Sequence, residues 1–103
     1  MVESFRIEKA PLPSEGRGVR VLAGGTPVAV FRVGGLLYAV DARCTHVGGP
    51  LDQGPLNGTQ VTCPWHRSVF DLRDGKLIRG PATRPVTPYR VRLDGEALVL
   101  ERD

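Results

Sequence analysis

The stretch Pro27-Val-Ala-Val-Phe-Arg-Val33, Gly34-Gly35, Leu36-Leu-Tyr-Ala-Val40 decides the class of fold. Two runs of high strand propensity flank a Gly-Gly pair, and glycine reaches the positive φ that a tight hairpin turn demands. The pattern predicts strands over Pro27–Val33 and Leu36–Val40, joined as a hairpin. On either side, similar runs occur at Ser4–Glu8, Gly18–Leu22, Thr59–Cys63, Ser68–Leu72, Tyr89–Leu93 and Ala97–Glu101, with Asp74-Gly75 and Asp94-Gly95 as further turn signals. Tyr89, Val91 and Leu93 alternate with Arg90 and Arg92, as a half-buried strand should. Thirteen Gly and nine Pro punctuate the chain so densely that the longest stretch free of both is Leu36–Val47, so a long helix has nowhere to form. The expected fold is all-β, an antiparallel sandwich or barrel. Its middle part, about 43–88, is rich in Gly, Pro and turn signals and reads as a small lobe inserted in that scaffold.

The 103 residues have room for one domain, 1–103, with a radius of gyration of about 13 Å. Hydrophobic residues at 41% and charged residues at 24% exclude a disordered tail or a rod. The longest apolar runs fall far short of a membrane span, and Met1-Val-Glu-Ser lacks the basic start of a signal peptide, so a cytoplasmic location is expected. Fourteen basic residues against eleven acidic ones give a net charge of +3. Twelve of the basic residues are Arg, spread from Arg6 to Arg102 without a run, which argues for a solvated surface and against a nucleic-acid groove. Two cysteines are too few to staple a secreted mini-protein, so their spacing points to metal or redox chemistry.

Cys44, His46, Cys63 and His66 are the chain's only Cys and His, and all lie in the middle part. Cys44-Thr45-His46 is followed, after sixteen intervening residues, by Cys63-Pro64-Trp65-His66. A single Cys or His is usually a core or surface residue; two short-spaced pairs with nothing left over point to a metal site, which needs thiolate and neutral imidazole donors converging. A tetrahedral Cys2His2 zinc site would use the same donors, although zinc pairs usually keep two or more residues between their members. A two-iron site, one iron on two thiolates and the other on two imidazoles, fits the repeated Cys-then-His order, because each loop then gives one ligand to each iron.

Cys44-Thr-His46-Val-Gly-Gly-Pro-Leu51 and Cys63-Pro-Trp-His66-Arg-Ser-Val-Phe-Asp-Leu72 resemble the two cluster-binding boxes of Rieske [2Fe-2S] proteins, and Gly80-Pro81-Ala82 is similar to the proline-containing loop that covers the cluster. The resemblance spans nearly the whole chain and implies an antiparallel β fold with an inserted cluster lobe. It also implies that Cys44 and Cys63 bind one iron and His46 and His66 the exposed other. Gly48, Ser68 and Pro81 are implied neighbours of the cluster. A free-standing domain of this size is similar to the soluble ferredoxins of ring-hydroxylating dioxygenases. The implied function is a one-electron carrier between a flavin-dependent reductase and a terminal oxygenase, monomeric, binding neither nucleic acid nor membrane, and without substrate chemistry of its own. The alternatives are the small subunit of a cytoplasmic NAD(P)H nitrite reductase and a zinc-stapled interaction module.

With two neutral imidazoles in place of two thiolates the oxidised cluster carries no net charge, which raises the potential from near −400 mV into a range of about −150 to +300 mV. Ser68 keeps a hydroxyl that high-potential relatives have, and Phe70 stands where they present a Tyr hydroxyl, which places the expected potential at the low end of that range. Trp65 is expected in the core of the lobe, with a docking anchor as the alternative reading. Arg43, Arg67 and Arg84 read either as solvated surface charge or as a ring around exposed histidines that meets an acidic partner.

Overall fold

The computed structural model of the protein describes residues 2–103. Ten strands run in chain order: β1 Glu3–Ile7, β2 Gly18–Ala23, β3 Thr26–Val33, β4 Leu36–Asp41, β5 Leu56–Asn57, β6 Gln60–Thr62, β7 Val69–Asp71, β8 Leu77–Arg79, β9 Pro88–Asp94 and β10 Ala97–Arg102. The only helical element among the described residues is a 3-10 turn at Leu51–Gln53. The all-β expectation holds, and all eight predicted runs are strands within a residue or two. β5 and β8 are additional; at two and three residues they are too short to leave an alternation in the sequence.

The strands form a six-stranded antiparallel sheet in the order β1-β10-β9-β4-β3-β2 and a four-stranded one in the order β5-β6-β7-β8. The large sheet curls until its two ends approach, with the Phe5 ring on β1 filling the space where a side chain at Gly24, just past β2, would project. Curling of this kind hides the free strand edges that an open sheet exposes. The chain leaves this sheet after β4, builds the small sheet and its loops, and returns at β9.

β3 explains how the halves join. Its apolar run has no polar alternation because both faces are covered: Val28 and Val30 pack inside the curled sheet with Val21, Ala39, Leu98 and Leu100, while Ala29 and Phe31 face the small sheet with Val40, Leu51, Val61, Phe70 and Leu72. The hairpin quoted above pairs Val33 with Leu36 across Gly34 and Gly35, whose φ values are +60° and +81°. Both turn N–H groups donate to the Glu15 carboxylate, at 2.7 and 2.9 Å, which holds that carboxyl below its usual pKa. Alternation along β9 fades toward its end. Tyr89 is buried but Leu93 is half exposed, since the β9–β10 turn extends beyond the core.

Candidate metal centre

Three loops at the end of the small sheet meet: 42–50 after β4, 63–68 between β6 and β7, and 80–87 between β8 and β9. The first two share a hydrogen-bond skeleton. In each, the Cys N–H donates to the carbonyl five residues on (Cys44 to Gly49, 2.9 Å; Cys63 to Ser68, 2.8 Å). In each, the Cys carbonyl accepts from the N–H four residues on (from Gly48, 2.8 Å; from Arg67, 3.2 Å). Such a closed turn aims the Cys side chain inward and carries the His of the same loop outward.

The loops use different residues for the same backbone task. Gly48 takes φ +76° without steric cost, whereas His66 and Arg67 take φ +68° and +65° with side chains in place. A left-handed conformation costs a non-glycine residue about 1–2 kcal/mol. The second loop therefore stores strain that the first avoids.

The four candidate ligands separate into two pairs. Cys44 and Cys63 are buried side by side, 2% and 0% exposed, within the apolar core that β3 shares with the small sheet. His46 and His66 are exposed, with their rings edge to face and centroids 5.4 Å apart. Burial pushes the Cys63 thiol pKa up, the backbone N–H of Trp65 pulls it down, and the adjacent Cys44 thiol adds to the rise. A cation that binds as thiolates replace thiols would offset the burial that raises Cys63.

The close approach is made by Gly49. A Cβ there would lie 2.5 Å from the Cys63 sulfur and 3.1 Å from the Trp65 Cβ, so any larger residue would drive the loops apart. A Cβ at Gly48 would meet no protein atom, and the Gly48 N–H is bound to the Cys44 carbonyl. The third loop is tied to both others by hydroxyls. Ser68, fully buried, accepts from the Ala82 N–H at 2.9 Å, and Thr45 donates to the Arg84 carbonyl at 2.7 Å. Ser68 keeps its own proton to donate. Thr45, between two candidate ligands, was not singled out by the sequence, although a hydroxyl at that place was a signal. Pro81 follows a cis peptide from Gly80 and is exposed.

Trp65 is not in the core of the lobe. It is 52% exposed, because its Cβ and Cγ rest against Gly49 and the inward positions are taken by the two thiols, Leu51 and Ala82. Arg67 and Arg84 are exposed on the loops that carry or touch the histidines. Arg43 instead lines a shallow hollow with Gly25, Thr26, Pro27 and Asp41, which leaves the expected ring incomplete.

Among the described residues no three Cys, His, Asp or Glu side chains gather tightly enough for one metal ion. Thiols at an inner end and imidazoles at an outer end fit an extended group with two metal positions, one wanting sulfur and one nitrogen. The profile of the Rieske [2Fe-2S] domain matches residues 5–101. The chain belongs to the Rieske [2Fe-2S] family. A Rieske-type [2Fe-2S] cluster is its cofactor, and it is an electron carrier.

Among Rieske relatives, the ferredoxin component of the naphthalene 1,2-dioxygenase/salicylate 5-hydroxylase systems of a Ralstonia species is 33% identical over 89 residues, covering 86% of each chain. The ferredoxin of carbazole 1,9a-dioxygenase from Nocardioides aromaticivorans IC177 superposes with a TM-score of 0.84 at 29% identity, covering 93% of this chain and 96% of its own. A chain described as a candidate small subunit of an NADH-dependent nitrite reductase from Mycobacterium tuberculosis superposes with a TM-score of 0.81 at 26% identity, covering 100% and 97%. No helix among the described residues of this Rieske chain is long and apolar enough to cross a membrane.

Proposed function

We propose that the protein, a single domain over 1–103 with its cluster lobe at about 43–88, carries single electrons from a flavin-dependent reductase to a terminal oxygenase in the cytoplasm, without substrate chemistry of its own. The observation that carries the ligand assignment is the split of the donors: Cys44 and Cys63 would hold the inner iron, and His46 and His66 the outer one. The ferredoxin relatives named for dioxygenase systems favour this reading over a nitrite reductase subunit.

Bound there, the cluster would take up and return one electron at its imidazole end. The chain's own residues keep the thiols out of water, through Leu51, Phe70 and Ala82, and present the imidazole edges to solvent. Phe70, fully buried, offers no hydrogen-bond donor, and Ser68 offers one at most, so the potential belongs at the low end of the Rieske range, somewhat above about −150 mV.

An iron assay, the EPR spectrum of the dithionite-reduced protein and voltammetry test this together. Two irons per chain, a Rieske-type spectrum and a low midpoint are expected. His66→Cys should lower the midpoint toward the thiolate-ligated range if His66 is a ligand. A zinc-loaded, EPR-silent protein would overturn the reading, and a midpoint above about +100 mV, in the upper part of the range, would overturn the ferredoxin role.

A further inference from the structure

The second ligand loop keeps an arginine where its own counterpart in the first loop shows that glycine serves. Gly48 and Arg67 occupy the same place in the two hydrogen-bonded turns, both N–H groups donate to the Cys carbonyl four residues back, and both have left-handed φ. A glycine at 67 would remove that position's strain and leave only that of His66, φ +68°. The backbone role of position 67 makes no use of its side chain. No carboxylate among the described residues pairs with Arg67 or Arg84.

The charge distribution agrees. The loop segments 43–50, 63–68 and 80–85 contain Arg43, Arg67 and Arg84 and no Asp or Glu. Setting those three aside leaves eleven basic residues, which the eleven acidic ones match, so a charge of +3 sits on the three loops that meet here, although Arg43 lines the hollow beside Asp41 and only Arg67 and Arg84 remain for the histidine end. On the same loops Trp65 and Val47, the chain neighbours of His66 and His46, are 52% and 45% exposed. Exposed apolar side chains close in sequence to arginines without ion-pair partners suit a protein interface, where Trp and Arg are the residues that most often dominate. Three arginines and a single aromatic residue make no stripe for a nucleic-acid backbone.

We propose that this tip docks a protein partner whose surface offers a hollow for Trp65 and an acidic rim for Arg67 and Arg84. The proposal rests on His46 and His66 marking the end where the electron leaves. It adds which partner chemistry is accepted there and assigns Arg67 to docking at the expense of loop stability.

The test uses the reduced holoprotein and two purified haem proteins as probes, acidic-surfaced cytochrome b5 and basic-surfaced cytochrome c. Each takes one electron, the cluster being oxidised and the haem iron going from ferric to ferrous. Followed by stopped flow between about 0.01 and 0.2 M salt, transfer to cytochrome b5 should slow several-fold as salt rises, and transfer to cytochrome c should not slow. Arg67→Gly should flatten the dependence for cytochrome b5 and melt no lower than the parent, because the turn is relieved of strain. Trp65→Ala should slow transfer to cytochrome b5, with midpoint and EPR spectrum as reporters of an intact cluster. Arg84→Glu, farther from the ligands, repeats the charge arm if Trp65→Ala loses its cluster. A rate to cytochrome b5 that is indifferent to salt, or an Arg67→Gly variant that melts lower and keeps the salt dependence, overturns the proposal while the Rieske spectrum upholds the carrier. Tight binding of a single-stranded oligonucleotide that Arg67→Gly abolishes would overturn it in favour of a nucleic-acid face. Loss of the Rieske spectrum in the parent protein would overturn the carrier reading itself.

Discussion

The curled sheet and the small sheet are held by different means. The curled sheet has strands of five to eight residues, and its interior is mainly aliphatic, with Val21, Val28, Val30, Leu98 and Leu100 beside the buried Tyr89. The small sheet has strands of two or three residues, and its core includes Cys44 and Cys63 among Leu51, Val61, Phe70 and Leu72. Burial and strand pairing suffice for the first. The second, with two-residue strands that bring few ladder bonds and loops that expose their backbone, leans on two hydroxyl ties and, on the proposed ligand assignment, on what its cysteines would bind.

The sharpest way to break this contrast is Cys63→Ala. It should abolish the visible absorption and leave amides of residues 42–87 unprotected against hydrogen exchange, while those of β3, β4 and β10 stay protected. Uniform protection at parental heat stability would show that the two regions are alike. The complementary change is Leu100→Ala, inside the curled sheet. It should cost about 2–5 kcal/mol in denaturant melts, yet the visible spectrum should remain intact below the transition. Bleaching in proportion to the lost stability would mean that the two cores are one.

A finer distinction concerns the ties. Ser68→Ala removes the acceptor of the buried Ala82 N–H and should cost about 1–3 kcal/mol, localised as faster exchange of the Ala82 amide. It should also lower the midpoint potential if the Ser68 proton donates toward the cluster. Unchanged Ala82 exchange would refute the tie, and an unchanged potential would refute only the donation.

The smallest effect comes from acid. Asp71 on β7 is buried and accepts two bonds from the Arg73 guanidinium, at 3.0 and 2.8 Å, and one from its N–H at 2.9 Å, which hold its pKa below the ordinary value. Its share of stability is complete above the unfolded carboxylate pKa of about 4 and disappears as pH falls through the lower folded value. Thermal melts between pH 7 and 3 should therefore show a decline that Asp71→Asn makes shallower, with a loss of about 1 kcal/mol at neutral pH. An identical acid decline in the variant would remove Asp71 from the account.

Much of this was legible in order along the chain. Alternation and turn pairs are local properties, so the strands from Ser4 to Glu101 and the Gly34-Gly35 hairpin could be read directly. Thiol and imidazole chemistry is likewise carried by residue type, which is why Cys44, His46, Cys63 and His66 stand out with their spacing. Exposure and partnership are not local. Trp65 lies outside the core because Gly49, sixteen positions earlier, occupies the space against its base, and only contact between two loops decides that. Gly48 and Gly49 are indistinguishable in sequence, yet one turns the chain and the other admits the Cys63 sulfur. The ties from Thr45 to Arg84 and from Ser68 to Ala82 join residues 39 and 14 positions apart, and the left-handed φ of Arg67 is imposed by the closure of its loop. Residue type and local period state what each segment can do; which neighbour it meets is set by the packing of segments far apart in the chain, where sequence order carries no distance.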